Sequence, residues 1–119
     1  MRKLENDMWS ALKAGAPWKN TNTEVRVTNT HCDVIVYNCY LARVSYKGNN
    51  TYLVTFTGDA WHGASKTVMS RVRALCGASH SVKKIAGNVT FKCLNTNIET
   101  TADAYSLGES ELALLVTAL

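Results

Sequence analysis

The chain has one proline, two phenylalanines and no apolar run approaching the 18 residues that a membrane span needs. A transmembrane helix is therefore not expected. The first 15 residues carry Arg2, Lys3, Glu5, Asp7 and Lys13 and lack an apolar stretch, so no secretory signal is expected either. There is no C-x-x-C pair, no G-x-S-x-G, no phosphate-binding glycine loop, no dinucleotide glycine pattern and no H-E-x-x-H. No internal repeat or low-complexity tract is visible. What remains is a soluble chain of 119 residues, 46% hydrophobic and 18% charged, which fits one domain over 1–119 and excludes wholesale disorder.

Charge is unevenly placed. All 13 Lys and Arg lie at or before Lys92. With five acids before residue 95 and four after it, the body carries +8 and the tail −4. A basic body suggests an anionic partner, with an acidic tail able to compete for the same surface; ordinary solubility charge is the plainer alternative. Cys32, Cys39, Cys76 and Cys93 lack metal-ligand spacing, and adjacent His31 and Cys32 would point to opposite faces of a strand. These cysteines read as free thiols of a reducing compartment, and neither a metal nor a cofactor is expected.

Periodicity predicts an α+β fold. Residues 2–14 form an amphipathic helix through Leu4, Met8, Trp9, Ala11 and Leu12, stopped by Gly15 and Pro17. A polar connector follows from Trp18. Alternation and β-branched residues then mark a four-stranded antiparallel meander: Thr23–Asn29, Cys32–Tyr37, Tyr40–Tyr46 and Thr51–Thr57. Lys47-Gly48-Asn49-Asn50 is its tight hairpin. A helix at about 65–76 is capped by Ser65 and buries Val68, Met69, Val72, Leu75 and Cys76. One or two further strands follow at Val82–Ile85 and Asn88–Leu94. Residues 95–108 read as a loop, and 109–119 as a short apolar C-terminal helix that either forms a homodimer contact or packs on the open sheet face.

K-L-E-N-D-M-x-x-A-L-K-A-G at the start, N-T-x-V-x-V, and A-S-K-T-V-M-S-R-V-R-A-L over 64–75 resemble a family of small uncharacterised bacteriophage proteins. The resemblance covers about residues 2–94. The chain departs from it at His62-Gly63, before the second helix, and in the acidic tail. It implies a helix-meander-helix fold, a phage context, and location in the cytoplasm of the bacterial host. It also implies a stoichiometric action: binding and inhibiting a host or anti-phage defence protein or protein–nucleic-acid complex, without catalysis.

Three candidate sites follow from the residues. Asp59, His62 and Ser65, with His80 beyond the helix, could supply a base and its orienting carboxylate, or merely cap the helix. Lys66, Arg71, Arg73, Lys83 and Lys84 form a basic group able to contact phosphates, with Trp61 and Tyr40 for stacking, or a solvated face. Trp18 and Trp61 lie in connecting segments, where a tryptophan either anchors a protein interface or closes the edge of a small core. The nucleic-acid-binding reading is the alternative to protein binding, and a small-nucleotide-binding or hydrolytic protein stands third.

Overall fold

The computed structural model describes residues 3–119; Arg2, the expected first residue of the opening helix, lies outside the described residues. Helix α1 (Lys3–Ala14) buries Glu5, Met8, Trp9, Ala11 and Leu12. It ends in a Schellman turn: Gly15 N–H donates to Leu12 O at 3.3 Å and Ala16 N–H to Ala11 O at 3.0 Å, with Gly15 at φ 61°.

Strands β2 (Thr23–Val27), β3 (Cys32–Val36), β4 (Cys39–Gly48) and β5 (Thr51–Phe56) form the expected antiparallel meander. Tyr37-Asn38 and Asn49-Asn50 are two-residue hairpin loops with φ positive at both positions, between 52° and 61°. That twist matches the strands they join, and Asn tolerates it better than most residues. The expected polar connector contains a two-residue strand, β1 (Trp18–Lys19), paired through Trp18 with Val25.

After a 3₁₀ turn (Asp59–Trp61) comes α2 (Lys66–Leu75), whose cap is the expected one: Ser65 Oγ accepts from Val68 N–H at 3.3 Å. Strands β6 (His80–Ile85) and β7 (Asn88–Cys93) follow, joined by Ala86-Gly87.

The end of the chain corrects the expected fold. Residues 95–108 are not simply a loop: they contain β8 (Glu99–Asp103), which pairs with β7 and completes a separate three-stranded sheet, β6-β7-β8. Residues 109–119 form no helix; Leu112–Thr117 is β9, paired along the whole of β5 from Thr51↔Thr117 to Phe56↔Leu112. The architecture is thus α+β with a six-stranded sheet, β1-β2-β3-β4-β5-β9, and a three-stranded one, not a four-stranded meander ending in a helix. Two causes account for this. A meander ending at β5 would leave that strand's N–H and C=O groups unpaired along one side. The run LALLVT is apolar at every position but one, so it fits a strand as well as a helix, with Val116 buried and Ala113, Leu115 and Thr117 exposed. The expected dimer contact through a C-terminal helix has no helix to make it.

One buried cluster runs through both sheets and both helices. Phe56 from the large sheet stacks on Phe91 from the small one at 5.5 Å between ring centroids, and Trp61 meets Phe56 edge-on at 5.4 Å. Trp9 fastens α1 to its neighbours: its ring meets Tyr52 edge-on at 5.3 Å, and Nε1–H donates to Ala74 O of α2 at 2.7 Å.

Candidate functional site

Helix α2 carries its cations on two different sides, and the difference decides which of them are available. Arg71 flanks the buried stripe and is 3% exposed. Its Nε donates to Thr23 Oγ1 at 2.8 Å, its Nη2 to Asn22 Oδ1 at 3.2 Å and its Nη1 to Ser70 Oγ at 3.3 Å. Nη1 also lies 3.9 Å from Glu5 Oε1, which accepts from Ser70 Oγ at 2.9 Å. This network ties α2 to α1 and to the start of β2. Arg71 is a packing residue, turned away from any surface site.

Lys66 and Arg73, seven residues apart, are exposed on the other flank. They line a groove of about 910 Å³ together with Lys84, Glu5, Ser70 and an apolar surface made by Ala64, Met69, Ala74, Gly77 and Leu119. Lys84 reaches it from β6, its Nζ donating to Gly63 O at 2.6 Å and Ala64 O at 2.9 Å. Arg73 Nε donates to Val82 O at 3.4 Å. Glu5 is 6% exposed, and its Oε2 has no hydrogen-bond partner among the described residues.

The remaining predicted residues lie elsewhere. Lys83 precedes Lys84 in β6 and therefore sits on the opposite sheet face, beside Ser81, Thr90, Lys92 and Glu99. Trp18 is half-buried against the core. Trp61 is 0% exposed, with Nε1–H donating to Leu41 O at 3.1 Å, so it closes the core and offers no stacking face. Tyr40 donates its hydroxyl to Asp33, and burial first, then that bond, holds its pKa well above the usual phenol range.

His62 is exposed and meets Tyr105 edge-on at 5.3 Å. With Asp59 and Glu109 it lines a separate cleft of about 300 Å³. Ser65 is spent on the helix cap, and His80 Nδ1 pairs with Ser79 Oγ at 2.9 Å. The four residues considered for catalysis are thus not gathered at one point. Among the described residues no group of three or more His, Cys, Asp or Glu is placed to hold a metal ion. No described helix is long and apolar enough to cross a membrane.

The acidic tail does not cover the basic groove. Glu111 lies 3.5 Å from Arg43 on the large sheet, and neither Glu99, Asp103 nor Glu109 lines the groove. Sequence reasoning missed Glu5. The available signal was an acid at i, i+3, i+4, i+7 spacing with Met8, Trp9 and Leu12, on the buried side of α1.

All four cysteines are free. Cys76 is wholly buried and burial pushes its thiol up to about 12, whereas the Thr96 hydroxyl and the backbone N–H groups of Thr96 and Asn95 hold Cys93 below the usual thiol range.

The model of the Kyanoviridae Gp96 protein family matches residues 1–110. The chain belongs to this family of uncharacterised bacteriophage proteins. No curated protein and no solved structure matches the chain.

Proposed function

We propose that this Gp96-family protein is a non-catalytic accessory protein of the phage-infected cell. It acts stoichiometrically in the host cytoplasm, binding and inhibiting a host or anti-phage defence macromolecule, and the groove beside α2 is its working surface. One observation carries the reading: Lys66, Arg73 and Lys84 line a single groove over an apolar floor. A cationic rim over a desolvated floor is the arrangement of a binding surface, where the rim steers encounter and the floor supplies affinity. Membership of a phage family supports the cellular setting.

Nucleic acid is the second reading, and the same three cations favour it. Trp61 and Tyr40 lend it no stacking platform, since one is buried and the other bonded to Asp33.

The test is site-specific photocrosslinking during infection of the bacterial host. A crosslinker at Lys66 is expected to capture one host or defence protein; the same group at Thr101, exposed on β8, is expected to capture none. Equal capture at both positions would defeat the reading. Adducts with nucleic acid alone at Lys66 would replace it with the second one.

A further inference from the structure

Lys66 and Arg73 are seven residues apart on α2, so their Cα atoms are separated by about 10 Å along the helix axis. A ligand that carries two or more anionic groups can engage both cations at once. An extended peptide places residues i, i+2 and i+4 on one face, so acids at i and i+4, about 13 Å apart, flank an apolar residue at i+2 and lie within reach of two long flexible cationic side chains. The floor between them is apolar, through Met69, Ala74 and Ala64. It suits an apolar residue between the two acids.

None of the groove's described lining residues is aromatic, so the bases of a single strand would have nothing to stack on. Glu5, the one acidic side chain among the groove's described lining residues, has Arg71 Nη1 3.9 Å from its Oε1 and Oε2 without a described partner. A carboxylate there repels phosphates and a peptide's own acids alike, but a peptide also brings backbone N–H donors that it can accept from.

We propose that the groove holds an extended acidic segment of the partner protein, with its acids on Lys66 and Arg73, an apolar residue on the Met69–Ala74 floor, and a backbone N–H directed to Glu5. This rests on the groove being the binding surface and adds what it recognises.

The probe is a fluorescein-labelled peptide repeating Glu-Ser-Leu-Ser, which puts glutamate and leucine alternately on one face of an extended chain, read by fluorescence anisotropy against the full chain. Wild type is expected to bind it and to ignore the lysine–leucine counterpart. Lys66→Glu with Arg73→Glu is expected to lose about tenfold or more for the acidic peptide and to gain the basic one, as charge-complementary pairs do. Lys66→Ala, at a side chain with no hydrogen bond among the described residues, is the milder variant, and thermal melting of each variant establishes that it is folded. Three results overturn the proposal: no binding by wild type, unchanged affinity after the double reversal, or an oligothymidine bound as tightly as the peptide with the same sensitivity. Crosslinking at Lys66 that persists while the peptide fails removes the acidic-segment assignment alone. Failure of both removes the binding reading as well.

Discussion

Gly77 lies directly against the carbonyl of Thr117: a Cβ at Gly77 would stand 2.0 Å from that oxygen. The contact joins the end of α2 to β9. Ala78 N–H donates to the same carbonyl at 2.9 Å, and Thr117 N–H donates to Ser79 Oγ at 3.0 Å. Thr117 therefore has its backbone groups satisfied by the turn after α2, and this end of the β9 edge is closed to further pairing.

Gly77→Ala meets two costs at once. Its φ of 60° is left-handed, a conformation that costs an L-residue about 1 kcal/mol, and the methyl collides with backbone that cannot rotate away. The expected loss is about 2 kcal/mol or more, read as a lower denaturant midpoint. Gly15→Ala also has φ 61° but meets no atom within 4 Å, so about 1 kcal/mol is expected there. Equal losses at the two sites would mean that the Thr117 contact is not formed.

The strand character of the C-terminal segment is tested by alternation. Val116 is 0% exposed and Leu115, its neighbour, 60%. Val116→Asp places a charge in the core and is expected to cost more than about 3 kcal/mol, or to abolish folding. Leu115→Lys is expected to stay within about 0.5 kcal/mol. The same alternation makes removal of residues 95–119 an unfolding change, since it deletes β8 and β9 together.

What the sequence showed of this fold depended on whether the deciding information was local. The Asn49-Asn50 turn was legible because a two-residue hairpin loop needs residues that accept positive φ, and the chain supplies them at that spot. The Ser65 cap and the Gly15 stop are local in the same sense. β9 was not legible, because its apolar run satisfies either period and only the open edge of β5, 60 residues earlier, selects the strand. Arg71 and Glu5 likewise become a pair only through packing. The division between Lys83 and Lys84 was in reach: two adjacent strand residues cannot share a face.

Arg71 and Glu5 should behave as a buried pair. Arg71→Ala strands the Glu5 carboxylate and removes the bonds to Thr23 and Asn22, at an expected cost of about 3–5 kcal/mol. Replacing both at once, Arg71→Met with Glu5→Leu, is expected to cost less than Arg71→Ala alone, because no uncompensated charge remains. Urea unfolding of the three proteins decides it; a double variant weaker than the single one would show that the network's other bonds dominate.

The thiols and stability at high pH give a linked test. Burial raises Cys76 to about 12, and Cys32, Tyr40 and Tyr52 are also raised, chiefly by burial. A group whose folded pKa exceeds its unfolded one stabilises fully below the unfolded value and loses that contribution as pH climbs toward the folded value. Stability is therefore expected to fall from about pH 9 upward, and Cys76→Ala should make the decline shallower. Native labelling should reach Cys93 first, since its bonds favour the thiolate, and Cys76 last. A pH-independent plateau between 9 and 12 would contradict the burial of these groups.

Lys83 and Lys84 differ by one position and should differ in every measurement. Lys84 Nζ holds the carbonyls of Gly63 and Ala64, and Ala64 is a non-glycine residue at φ 45° just before the Ser65 cap. Its ammonium thus fixes a strained turn beside the groove. Lys84→Ala exposes those carbonyls to water and loosens the entry into α2, so a loss of about 1.5 kcal/mol is expected, at the low end of the range for hydrogen bonds to a charged donor. Because the groove loses one of the three cations among its described lining residues, binding of the acidic peptide should weaken as well. Lys83 stands on the far face of β6, exposed, with no side-chain hydrogen bond among the described residues and no place in the groove's lining. Lys83→Ala is expected to leave the melting temperature and the peptide affinity unchanged, within about 0.5 kcal/mol. If the two substitutions weaken peptide binding equally, overall positive charge and not the groove attracts the ligand. Raising the salt concentration would then abolish binding in wild type and in both variants alike.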